Sequence, residues 1–163
     1  MPSTATPVAC PPQWSPGPID VPDPPVYVSA VKPWMCTMAG RVCDGVHVHP
    51  FHSPDYVREA MLPHVERGLA ESGRTLDDLT FVVPIMTAVG DTDEQIAKTR
   101  EHARGMIAFY GSTRTYSSVF EQHGYEGLSD QLHAKQRAGD IAGMTSLISD
   151  DILDHYLVSA RWG

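Results

Sequence analysis

The stretch Pro25-Val26-Tyr27-Val28-Ser29-Ala30-Val31-Lys32-Pro33-Trp34-Met35, running on through Ala39-Gly40-Arg41-Val42-Cys43-Asp44-Gly45, decides how the rest of the chain is read. Val26 to Val31 is β-branched and aromatic and lies between two prolines, the pattern of a short buried strand. Proline lacks an N–H that the first helical turn would leave unpaired anyway. A helix is therefore expected after Pro33, from Trp34 to Cys43, closed by Asp44-Gly45. Trp34, Met35, Cys36, Met38, Ala39 and Val42 place apolar side chains on most of its sides, which predicts burial. Cys36 and Cys43, seven apart, fall on one face and read as core.

The strand–helix pattern then repeats. Val46 to Phe51 reads as a second strand. Ser53-Pro54 opens a helix carrying Val57, Met61, Val65 and Leu69 on one face, with a kink or restart at Pro63 and a stop at Gly73. Phe81 to Val89 is the most hydrophobic segment and is expected as a third strand, although it contains Pro84. Asp91 with Glu94 three positions on predicts a capping box. The helix it opens would bury Ile96, Ala103, Ile107 and Tyr110 and end at Gly111. From Thr115 to Leu157 only helical patterns occur, broken at Gly124 and near Ser149, and Tyr156 to Ala160 begins a fourth strand. Strands alternating with helices mean βαβ units and a parallel sheet. Such sheets need cover on both faces and more than three strands, so these units are expected to belong to something larger.

Residues 1–25 hold nine of the fourteen prolines and are expected to form an extended arm ahead of a folded unit at 26–163. The 163-residue chain carries 20 acidic against 12 basic residues, a formal net charge of −8, which excludes a general nucleic-acid binder. Three cysteines, Cys10, Cys36 and Cys43, make no disulfide framework. No run approaches the roughly 18 apolar residues of a membrane span, and no secretory leader is evident, so no membrane partner is assigned and the expected location is cytoplasmic. Neither Gly-x-Gly-x-x-Gly, a P-loop nor Gly-x-Ser-x-Gly is present.

The opening stretch resembles the middle of the luciferase-like monooxygenases, particularly the branch that uses the deazaflavin coenzyme F420. Val46-His47-Val48-His49-Pro50-Phe51-His52, Gly68 to Arg74 and Phe81 to Thr92 resemble the same family in the same order. The resemblance implies an α/β fold, a partial TIM (β/α)8 barrel of about three βα units plus C-terminal helices. These would be roughly strands five to seven, with the early strands and a complete eighth not included. It also implies a flavin or deazaflavin oxidoreductase or monooxygenase that moves hydride between F420, or alternatively FMN, and a small-molecule substrate at the barrel mouth. The Thr115–Ser149 helices would then cover the pocket.

By the same resemblance the turn Ala30-Val31-Lys32-Pro33-Trp34 would hold the cofactor phosphate, where relatives often carry glycine at the positions of Val31 and Lys32. Helix N-termini present N–H groups and a positive dipole end to anions, and barrels use them this way. His47 and His49 share one face of the second strand and Val46 and Val48 the other; with the valines against the helices, the imidazoles would face the barrel. His49 is the candidate pocket residue, able to line a substrate site or exchange a proton. A metal hydrolase using His47 and His49 is a further alternative. Catalytic zinc takes about three protein ligands, and with only His52 nearby no metal is assigned. A non-catalytic barrel fragment that requires a complementing chain, or a homo-oligomer, is the other alternative, because a lone fragment leaves sheet edges uncovered.

Overall fold

The computed structural model describes residues 21–162; the proline arm as far as residue 20 lies outside them. Over 21–26 there is no helix or strand. The first sheet orders β1 (Tyr27–Ser29), β2 (Gly45–His47) and β3 (Thr80–Val82), all parallel, with Val28 opposite Val46 and Val46 opposite Phe81. Helix α1 (Pro33–Val42) joins β1 to β2. A π-helical segment (Tyr56–Met61) running into α2 (Leu62–Glu71) lies between β2 and β3. The expected break at Pro63 is thus met by a change of helical winding just before it: Leu62 N–H still donates to Val57 O in the π-helical register, and Pro63, which has no N–H, stands where α-helical winding begins.

The run Ala39-Gly40 … Asp44-Gly45 has an architectural reason. A Cβ on Gly40 would collide with the Val65 carbonyl, and one on Gly68 with the Thr37 carbonyl, so α1 and α2 meet backbone to backbone. Asp44 ties the sheet: its carboxylate accepts from Val26 N–H at 2.7 Å, its own N–H donates to Val26 O, and its carbonyl accepts from Thr80 N–H. Gly45 lies beneath the Tyr27 ring, which a Cβ would strike. Arg74 donates to the carbonyls of Gly40, Cys43 and Asp78, satisfying acceptors that the end of α1 leaves open.

The third strand departs from expectation. Phe81 to Val89 is not one strand; it divides at 83–85 into β3 and β4 (Met86–Gly90), and β4 pairs in parallel with β5 (Leu157–Arg161) in a second sheet. Pro84 cannot donate a ladder hydrogen bond and ends the first pairing. β5 is the strand expected to begin at Tyr156. The expected capping box of Asp91 and Glu94 is not formed: Thr92 caps α3 (Asp93–Gly111) by accepting from Gln95 N–H, and the Gln95 side chain accepts from Asp91 N–H, one residue before the cap.

Helices α4 (Ser117–Glu121), α5 (Leu128–Arg137), α6 (Ile141–Ser146) and α7 (Asp150–Asp154) complete the chain before β5. The core centres on Phe51, Phe120, Met61, Ile107, Leu132 and Leu153, each at least 98% buried. Phe51 stands at 5.0 Å from Phe120 and 5.1 Å from Tyr156 between ring centres, so the loop after β2 is pinned by aromatics from α4 and the end of α7. Helix α1 is less buried than its composition predicts: Cys36, Ala39 and Gly40 are inside, whereas Trp34 is 69% and Val42 64% exposed. It has α2 on one side and the sheet on another, and its remaining face is uncovered among the described residues.

Candidate functional site

Two loops leave the same end of the parallel sheet, one after β1 and one after β2. In the first, Ala30 is buried and Val31 half-buried, while Lys32, Pro33 and Trp34 are exposed. Lys32 is extended (φ −91°, ψ 153°) and caps α1 without any side-chain hydrogen bond; its carbonyl accepts from Cys36 N–H. The N–H groups of Trp34 and Met35 have no backbone partner among the described residues. The turn therefore offers open donors, the positive end of a ten-residue helix and the Lys32 ammonium on one solvent-facing side.

In the second loop, Val46 and Val48 are fully buried and His47 is exposed, the alternation expected of this strand. His49 lies beyond the end of β2 and is half-buried, stacked on Tyr116 (4.4 Å between centres) and edge-on to Tyr110 (4.9 Å). Its Nδ1 accepts from Phe51 N–H at 3.1 Å. Burial first, and the neighbouring His52 second, hold its pKa below the ordinary histidine value, favouring the neutral ring. A neutral His49 with Nδ1 engaged as an acceptor carries its proton on Nε2.

Tyr56 connects the loops. Its hydroxyl donates to Val31 O at 3.0 Å and lies 3.4 Å from Ser118 Oγ. Ala30, Val31, His49 and His52 thereby border one small cavity of about 10 Å3, too small for more than a water. The structure does bring the turn expected to hold a phosphate and His49 to one cavity, and the exposed residues of the turn are Lys32 to Trp34. His47 and His49 share no site with a third ligand; among the described residues no group of three or more His, Cys, Asp or Glu is arranged to hold a metal.

Sequence reasoning weighed His52 only as a further metal ligand and missed His123 and His155. His52 is 93% buried and its Nδ1 stands 2.8 Å from His49 O. His123 stacks on His155 (3.9 Å) and lies 2.8 Å from Ser53 Oγ, which accepts from Tyr56 N–H. Burial, then His155, lowers the His123 pKa. Residues 52, 123 and 155 share no spacing that a local pattern could disclose. No helix among the described residues is long and apolar enough to cross a membrane.

A family model described as luciferase-like monooxygenase matches residues 6–163. An uncharacterized protein of Mycobacterium tuberculosis is 38% identical over 90% of this chain and 43% of its own length. The 5,10-methylenetetrahydromethanopterin reductase of Methanopyrus kandleri is 29% identical over 84% of this chain and 38% of its own. The solved structure of the coenzyme F420 dependent tetrahydromethanopterin reductase from Methanopyrus kandleri superposes with a TM-score of 0.68 at 24% identity, over 84% of this chain and 38% of that one. The fold is thus part of a TIM barrel. The chain spans about 40% of the length of the curated relatives it matches.

Proposed function

The chain belongs to the luciferase-like monooxygenase family, and from that premise we propose that it contributes the phosphate-binding part of an F420-dependent oxidoreductase, with FMN as the alternative cofactor. The observation that carries the proposal is the N-terminus of α1, without a side-chain cap, where the N–H groups of Trp34 and Met35 have no backbone partner among the described residues and Lys32 precedes them. This donor set suits a phosphate, and the turn's exposure leaves room for one. Val31 is half-buried with its carbonyl turned to Tyr56, and Lys32 is solvent-exposed. When bound, the cofactor supplies the hydride-carrying ring for a small organic substrate. In this reading Tyr56 holds the turn in position, and His49, fixed by Phe51 N–H and Tyr116, presents its Nε2–H as a donor near the turn.

A complementing chain or second copy is part of the same proposal. Val26 is 57% and Tyr27 43% exposed, and the outer edge of β1 has no strand beside it among the described residues. Equilibrium binding of F420 and FMN, followed by fluorescence alongside size-exclusion chromatography, tests it. Saturable F420 binding by a discrete oligomer, weakened at least tenfold by Lys32→Glu, is expected. Folded protein that binds neither cofactor refutes the reading.

A further inference from the structure

A cavity of about 650 Å3 opens away from the α1 turn, between the loop and π-helical segment after β2 and the strands β4 and β5. Its volume is that of an ordinary small-molecule pocket. Val57, Leu62, Val83, Ile85, Leu157 and Val158 supply an apolar wall. The charged groups on its rim are already partnered: Arg58 holds Asp55 at 3.0 Å, and Arg100, from outside the cavity, holds Asp154 at 2.7 Å. A charged ligand would have to compete with these pairs, in a protein that is net acidic and so disfavours anions further.

Two histidines border this wall, His52 and His155, and His52 has a ring nitrogen with unused capacity. The His52 ring borders the cavity, and its Nδ1 faces a backbone carbonyl, which can only accept, so Nδ1 carries the proton. Nε2 of the neutral ring is then an acceptor; the ring's hydrogen bond among the described residues is through Nδ1, and Nε2 is not among the buried unpartnered atoms, so it is open to water. A ligand that offers a donor takes the place of water at this nitrogen; a purely apolar ligand seated over it displaces the water and leaves it unpaired.

We propose that this cavity is a binding site for a neutral, largely apolar molecule bearing a hydroxyl, seated against Val57, Ile85 and Val158 with its O–H donating to His52 Nε2. The site is separate from the α1 turn and does not depend on cofactor binding. Titration calorimetry of the full chain at pH 8 with 2-naphthol, naphthalene and 2-naphthoate as probes tests it. One 2-naphthol per chain is expected to bind at least tenfold more tightly than either of the other two. His52→Phe should remove that preference while naphthalene binding persists. His52→Asn keeps a donor for His49 O, removes the Nε2 acceptor, and should do the same if the phenylalanine variant melts early. Lys32→Glu should leave 2-naphthol binding unchanged, which separates this result from the cofactor test. Equal binding of the three probes, a preference that survives both His52 variants, or absence of binding by folded protein overturns the proposal. So does a dimer that excludes 2-naphthol and is dissociated by Val158→Asp, since a second copy would then fill the cavity.

Discussion

Two glycine-to-alanine substitutions in helices should change stability in opposite directions. Gly68 in α2 and Gly105 in α3 are both helical, and in an open helix alanine is favoured over glycine by about 1 kcal/mol. Gly105 has nothing within 4 Å of an added Cβ, so Gly105→Ala should realise about 0.5–1 kcal/mol of that gain. At Gly68 the Cβ would land on the Thr37 carbonyl and within 2.9 Å of Arg41 N. Both neighbours are backbone, so no rotamer relieves the clash and the helices must separate. Overpacking costs about 1–3 kcal/mol, and the rigid neighbours put this site at the upper end; net of propensity the loss is about 1–2 kcal/mol. For a chain of this size 1 kcal/mol moves Tm by about 2–4 °C. Thermal melts by circular dichroism should place Gly68→Ala about 2–8 °C below the parent and Gly105→Ala about 1–4 °C above it. A Gly68→Ala protein as stable as the parent would refute the close α1–α2 crossing.

Phe51→Ala empties the centre of the aromatic cluster with Phe120 and Tyr156 and should cost about 3–5 kcal/mol in denaturant melts. His49 and His123 have folded pKa values below 6.5, the unfolded chain binds protons first, and stability should therefore fall as pH drops below about 6.5. Tm measured from pH 8 to 5.5 should show that slope, and His49→Phe with His123→Phe should flatten it; the lowered carboxylates Asp78, Asp140 and Asp150 act only in a more acidic window. The Cys36 thiol, pushed up to about 11 by burial, should resist iodoacetamide at pH 8 until the protein is unfolded, as read by peptide mass mapping.

Much of the first half was legible before any coordinates. Val26 to Gly45 states its strand, proline-initiated helix and closing turn in contiguous residues, and the structure returns β1, α1 and β2 within two residues or so of those limits, β2 being the shorter. The sheet's parallel direction followed from the alternation. The exposure of Trp34 did not: an apolar side chain reports that burial is favourable, not that a neighbour exists to provide it. The unbroken apolar run from Phe81 to Val89 hid the split into β3 and β4 for a related reason, since hydrophobicity does not say which strand a residue pairs with.

The candidate site divides the same way. The turn at Ala30 to Trp34 is local, and its chemistry, a helix start with open N–H groups, is written in one proline and its neighbours. That Tyr56 fixes this turn through Val31 O, that His49 is clasped by Tyr110 and Tyr116, and that His52, His123 and His155 gather beside β4 and β5 were decided only by tertiary structure. Helix starts and strand alternation depend on bonds and sterics spanning a few residues, so the sequence alone determined them. The partners of those side chains lie 25 to 70 positions away, and only the packing of the folded chain brings them within hydrogen-bonding or stacking reach.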